Sequence, residues 1–249
     1  MRRGGGCGSG DGRRAIDRIG RPGYYGDGMG RTVLITEADT PLGAGLVRLF
    51  MAKGDRVAAA VGTGAPAGEG RGLADFRARP FISVAWNRRS PVSARNLLLA
   101  TLNAFGGLDE ALILEPPAPA TALEQCPTAD IDKAFDDSRG TVFIARELLA
   151  HFKARGGGVL CMVGSSPRAP DQTGPAVEQA VREAFRGLAS ALLASHATGA
   201  LVLNGFQGYG TGPEEYSAFI DRTLEEKARK ITGRWFTCQP RGGILGRRA

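Results

Sequence analysis

Histidine and cysteine are scarce in this chain. Two histidines (His151, His196) and four cysteines (Cys7, Cys126, Cys161, Cys238) stand among 249 residues, with no CxxC pair and no Cys/His spacing of a metal site. A metal centre is therefore not expected, and scattered single thiols point to a reducing compartment. No run of about 18 apolar residues occurs, so no membrane-spanning helix is indicated. The first residues also lack the 7–15-residue apolar stretch of a secretory signal. Together these absences predict a cytoplasmic location. Aromatic residues are few, at 7%, and no basic stripe interleaves with them. The net charge of +7 thus does not by itself indicate a nucleic-acid binder.

Glycine is abundant, and much of it sits at one end. Residues 1–28 contain ten glycines, six arginines and three aspartates. Such a segment buries too little apolar surface to offset its chain entropy, so a disordered tail is expected. Met29 directly precedes the first strand pattern. One reading starts translation there and leaves 1–28 untranslated; the other makes 1–28 a basic tail that touches an acidic partner.

From residue 29 to 249 the pattern predicts a single domain in which strands and helices alternate. Strand patterns fall at VLIT (33–36), RVAAAV (56–61), FISVA (81–85), LDEALIL (108–114), GVLCMVG (158–164), ALVLNGF (200–206) and RWFTC (234–238). Helical patterns fall at 42–53, 91–105, 129–155, 175–196 and 214–230, with a Gly/Ala/Pro-rich loop over 62–72. Seven strands with intervening helices predict an α/β fold: a Rossmann-like, doubly wound parallel sheet with helices on both faces.

Five strings, in order, carry a resemblance to a known family. They are TEADTPLGAGL (36–46), DDSRGTVFIARELLAHF (136–152), GGGVLCMVGSS (156–166), AFRGLASALLA (184–194) and ITGRWFTCQPRGG (231–243). They resemble the glycine-rich turn, the NxxGxF helix, the serine-bearing strand, the helix after YxxxK and the closing strand of the short-chain dehydrogenase/reductase (SDR) family. The resemblance spans about 31–243. It implies hydride exchange with NAD(P), a tyrosine that moves the proton, a lysine that lowers its pKa, and a serine that orients the substrate oxygen. A phenol needs that help because its unperturbed pKa is near 10.

Laid on the family pattern, Glu178 falls at the tyrosine, Arg182 at the lysine, and Ser165 or Ser166 at the serine. No YxxxK occurs anywhere in the chain. As a bare i, i+4 pair, Glu178 and Arg182 read as a surface ion pair of about 0.3–0.5 kcal/mol. The cofactor turn maps to Thr36, Glu37, Pro41, Leu42 and Gly43, with Glu37 and Pro41 where the first two glycines belong. A carboxylate and a proline there oppose a pyrophosphate. Glu37 instead reads as a cap or dipole partner of the next helix, in competition with Asp39 and Thr40. The family's NNAG falls on ILEP (113–116), the asparagine of its long helix on Asp137, and a later asparagine on Asn204.

The leading expectation is a catalytically degenerate member, a pseudoenzyme with a binding, regulatory or scaffolding role and no cofactor. It would act as a homodimer, or as a hetero-oligomer with a related subunit, through the family's two long helices. Apolar stripes there are Phe135, Val142, Leu148 and Leu149, and Val177, Val181, Phe185, Leu188 and Leu192. A small-molecule ligand in the cleft is a further expectation. The alternative is a divergent NAD(P)-dependent oxidoreductase for a small carbonyl or alcohol, with Glu178, Tyr209 or Ser166 supplying the proton.

Overall fold

The computed structural model describes residues 30–63, 80–196 and 199–240. The glycine-rich segment 1–28 and most of the loop 62–72 lie outside the described residues. Seven strands form one sheet: β1 (Thr32–Ile35), β2 (Arg56–Gly62), β3 (Phe81–Trp86), β4 (Glu110–Leu114), β5 (Gly158–Ser166), β6 (Leu201–Tyr209) and β7 (Trp235–Cys238). Their order is β3-β2-β1-β4-β5-β6-β7, and every pairing is parallel. This is the doubly wound architecture that the alternation predicts.

The central strands explain their own position. TVLI of β1 and EALIL of β4 are buried along their whole length, as strands covered on both faces must be. One face packs on α1 (Pro41–Ala52) and α5 (Pro213–Thr223), with Phe50, Phe206, Tyr216 and Ile220 in the core. The other packs on α2 (Pro91–Phe105), α3 (Thr128–Arg155) and α4 (Ala176–Ser195), around Leu34, Leu148, Phe152 and Met162. The pattern read as one helix over 214–230 divides: α5 passes into a π turn at Leu224–Ala228.

Two helix starts use the same chemistry. Thr40 and Ser90 precede Pro41 and Pro91, and each side-chain oxygen accepts an N–H three residues on, from Gly43 and Ser93. A hydroxyl at the N-cap satisfies a free donor, and proline costs nothing at N1, whose N–H is unpaired in any helix. Thr40, not Glu37 or Asp39, is therefore the cap of α1. Among the described residues no helix is long and apolar enough to cross a membrane.

Candidate functional site

The chain winds from β1 toward β3 on one side and from β4 toward β7 on the other. The sheet thus has its switch point between β1 and β4, where doubly wound folds bind ligands beyond the carboxyl ends of their strands. A cleft of about 470 Å³ opens there, walled by Thr40, Leu42, Glu115, Ser165, Glu178 and Arg182 among others. A second cleft, of about 640 Å³, lies over the ends of β2 and β3 beside Glu37, Arg88, Arg89 and Lys133. Thr40 and Pro117 wall both.

The turn after β1 is built differently from its sequence-based expectation. Glu37 takes φ +51, the left-handed region that a glycine enters freely. Its carboxylate is buried and paired with the Arg88 guanidinium, whose Nε lies 3.0 Å from Oε1 and whose Nη2 closes on Oε2. Arg88 reaches it because Gly140 of α3 has no side chain: a Cβ there would lie 2.5 Å from the Arg88 Cβ. The Arg88 guanidinium also stands over the Trp86 ring, 5.3 Å from its centroid. Burial pushes the Glu37 carboxyl up to about 7, against the pull of Arg88. Gly43 is required where it stands, since a Cβ would lie 2.1 Å from the Glu37 carbonyl oxygen. Thr36 holds β1 to β4 by accepting the Leu114 N–H at 2.8 Å. Pro41 and Leu42 present the start of α1 to the central cleft.

The pair at the family's tyrosine and lysine positions is not on the surface. Glu178 and Arg182 are each 8% exposed. Glu178 Oε1 accepts from Arg182 Nη2 and from Arg168 Nη1, both at 2.6 Å. Burial raises its pKa, but these two guanidiniums outweigh that and hold Glu178 below its ordinary value. Ser165 walls the cleft, whereas the buried Ser166 turns its hydroxyl to accept the Arg168 N–H. Tyr209 ends β6 opposite Ser166 and is not part of the cleft wall.

Asp137 is buried beside Lys133 (2.7 Å) and Arg88 (3.9 Å), so it belongs to the Glu37 cluster. Asn204 crosslinks the sheet to the segment before β7: its amide donates to Ala228 and Ile231 carbonyls, and its oxygen accepts the Arg234 N–H.

The sequence analysis assigns no role to two charged residues of the cleft, Arg168 and Glu115. Glu115 follows β4 directly, and its Oε2 accepts the Ser165 N–H at 3.0 Å while Oε1 lies 3.6 Å from Arg182 Nε. Burial pushes its carboxyl up to about 7, opposed by the Ser165 N–H and Arg182 and helped by Glu178 and Glu183. A carboxylate directly after the apolar run ALIL (111–114) is the signal available in the sequence. No comparable signal joined Arg88 to Glu37.

No protein-family model matches the sequence, and no curated protein matches it. Solved structures do match the fold. A 3-ketoacyl-(acyl-carrier-protein) reductase from Brucella melitensis complexed with NADH superposes with a TM-score of 0.71 at 18% identity, over 84% of this chain and 96% of that one. The chain has the short-chain dehydrogenase fold. A short chain dehydrogenase from Burkholderia cenocepacia J2315 in complex with NADP gives a TM-score of 0.70 at 19% identity, over 85% of this chain and 97% of that one. Another, from Mycobacterium smegmatis, gives 0.71 at 17% identity, over 89% and 94%.

These relatives in fold correct two expectations. The reading of a degenerate, scaffolding pseudoenzyme and the reading of no cofactor are overturned: the neighbours are reductases and dehydrogenases, crystallised with NADH or NADP. Two adjoining clefts lie at the carboxyl ends of the strands, and the described residues oppose a dinucleotide less than the sequence suggested. The negative charge of Glu37 is met by Arg88, its backbone already holds a glycine-like conformation, and Gly43 keeps the close approach of helix to strand.

Proposed function

We propose that this chain is an NAD(P)-dependent oxidoreductase acting on a small carbonyl or alcohol, with a proton donor other than the family's tyrosine. The observation that carries this reading is the central cleft at the switch point, where the buried pair Glu178 and Arg182 and the half-buried Glu115 and Arg168 stand beside Ser165. Such groups gathered in one crevice are the composition of a proton-handling site. A nicotinamide bound there would supply or accept a hydride. Thr40, Pro41 and Leu42 would meet its phosphates, the mainly apolar cleft would exclude water from the reacting carbon, and Ser165 would orient the substrate oxygen.

The second cleft favours the cofactor without a 2′-phosphate. Its cations already face carboxylates: Arg88 with Glu37, Arg89 with Asp136 at 2.5 Å, and Lys133 with Asp137 at 2.7 Å. Among the described residues there, a second phosphate would meet Asp39 and these matched pairs rather than a spare cation.

The experiment is calorimetric titration of the whole chain with NADH and NADPH, checked by thermal shift. Micromolar NADH binding, at least about tenfold tighter than NADPH (1.4 kcal/mol), is expected. No binding of either cofactor at millimolar concentration sinks the oxidoreductase reading.

The same reading extends to assembly and location. Val142 of α3 is exposed and walls a groove with Phe185 and Leu188 of α4, which supports pairing through these helices as a homodimer or with a related subunit. A cytoplasmic location goes with a nicotinamide-dependent enzyme and with the free thiols Cys126, Cys161 and Cys238.

A further inference from the structure

We propose that Glu115 is the catalytic acid–base residue of the central cleft, delivering a proton to the carbonyl oxygen of the substrate as that carbonyl is reduced. The proposal rests on the oxidoreductase reading above.

Glu115 extends β4 by one residue beyond its last pair, Leu114 with Val163. Its own N–H still bonds the Val163 carbonyl at 2.8 Å. The backbone of a central strand at the switch point therefore fixes its Cα, and the Ser165 N–H fixes its carboxylate. Glu115 and Ser165 thus face one cleft from adjacent strands. A proton donor and a hydroxyl that orients the substrate oxygen need that arrangement.

Glu178 makes two 2.6 Å contacts with guanidiniums that keep it ionised, so at neutral pH it has no proton to give. The Tyr216 phenol also walls the cleft, but it donates to the Gly164 carbonyl at 2.8 Å and burial drives its pKa well above the usual range. Ser166 is turned away and Tyr209 lies outside the cleft wall. Glu115 is the cleft carboxyl that holds both protonation states near pH 7. The charged or titratable groups facing it are Arg182, Glu178 and Glu183 on α4 and Tyr216 on α5.

A bound reduced nicotinamide would supply the hydride of the new C–H bond and be left oxidised. The carbonyl π pair takes the proton from the Glu115 carboxyl, giving the alcohol and a carboxylate. Arg182 and the Ser165 N–H stabilise that carboxylate until water reprotonates it, and oxidation of an alcohol runs the same transfers backward.

The test compares the full chain with Glu115→Gln. NADH affinity is measured by calorimetry, turnover with 9,10-phenanthrenequinone and a set of small aldehydes, and carboxyl titration by ¹³C NMR of glutamate-labelled protein without cofactor. The expected result is a carboxyl titrating near pH 7 that disappears in the variant. NADH binding should be retained, with kcat lowered by about 10²–10⁴, KM little changed, and the rate inflection near pH 7 lost. A variant as active as the parent, or one that keeps every carboxyl titration the parent shows between pH 6 and 8, overturns the role of Glu115 while leaving the oxidoreductase reading intact; Glu37, the other carboxyl raised to about 7, should titrate in both proteins. A parent protein that binds no cofactor, or binds it and reduces none of the probes, overturns both.

Discussion

At the scale of single residues, two carboxyls carry most of what is unusual here. Folded Glu115 and Glu37 titrate near 7, against an ordinary value of 4.5. Between those values the folded state holds protons that the unfolded chain has released. The stability they contribute is full below about pH 4.5 and is lost as pH rises through 7. Melting temperature should therefore be higher at pH 5.5 than at pH 8. Glu115→Gln should flatten this dependence and raise the pH 8 value by about 2–4 °C for each kcal/mol recovered. A calorimetric scan across pH checks both; a variant that melts lower than the parent at pH 8 contradicts the buried, strained charge.

The Glu37–Arg88 pair makes a second residue-scale prediction. Losing Arg88 removes the pull that lowers the Glu37 carboxyl, so Arg88→Met should push its titration further up and extend the fall of melting temperature with pH beyond 7, and Glu37→Gln added to it should abolish that extension. An unchanged pH dependence of melting in Arg88→Met would mean that the two groups do not interact.

At the scale of elements, the turn from β1 into α1 is fixed by contact rather than by charge. Gly43→Ala would place a methyl 2.1 Å from the Glu37 carbonyl oxygen and 2.8 Å from the Ala38 Cα. Neither is the end of a flexible side chain, so the helix must move away from the strand. A loss of roughly 3 kcal/mol is expected, at the upper end of overpacking effects, together with weaker NADH binding. Thr40→Ala, which removes only the cap, should cost about 1 kcal/mol. Equal losses in the two variants would argue against the close approach.

At the scale of the whole molecule, stability should also fall in acid. Although burial raises it, Glu225 is held to about 2 by Arg229, Lys53 and Arg31, and Glu178 is lowered by Arg168 and Arg182. Both contribute stability that is present above their ordinary values and lost as pH falls below 4.5. With the opposite trend of Glu115 and Glu37, maximal stability should lie near pH 5. Assembly is a separate prediction: Val142→Glu places a charge in the groove between α3 and α4. Sedimentation should then show a parent dimer and a dissociated variant; an unchanged dimer would move the interface elsewhere.

How much of this was legible depends on the distance over which each feature is encoded. The fold was, because strand and helix periodicity is local: α2 begins and ends where Pro91 and the glycine after Phe105 place it, and all seven strands fall within a few residues of their patterns. The chemistry of the candidate site was not. In the sequence Glu37 only opposes a phosphate, because its partner, Arg88, stands 51 positions away and is admitted by the missing side chain of Gly140. The spacing of Glu178 and Arg182 gives helix neighbours but not burial, which Arg168, Glu115 and the cleft supply. The sequence by itself determined which groups lie along each element. Tertiary packing decided which charges meet and how far each is removed from water, and desolvation and pairing, which are sums over neighbours from distant segments, set whether a carboxyl at pH 7 is a counter-ion or an acid.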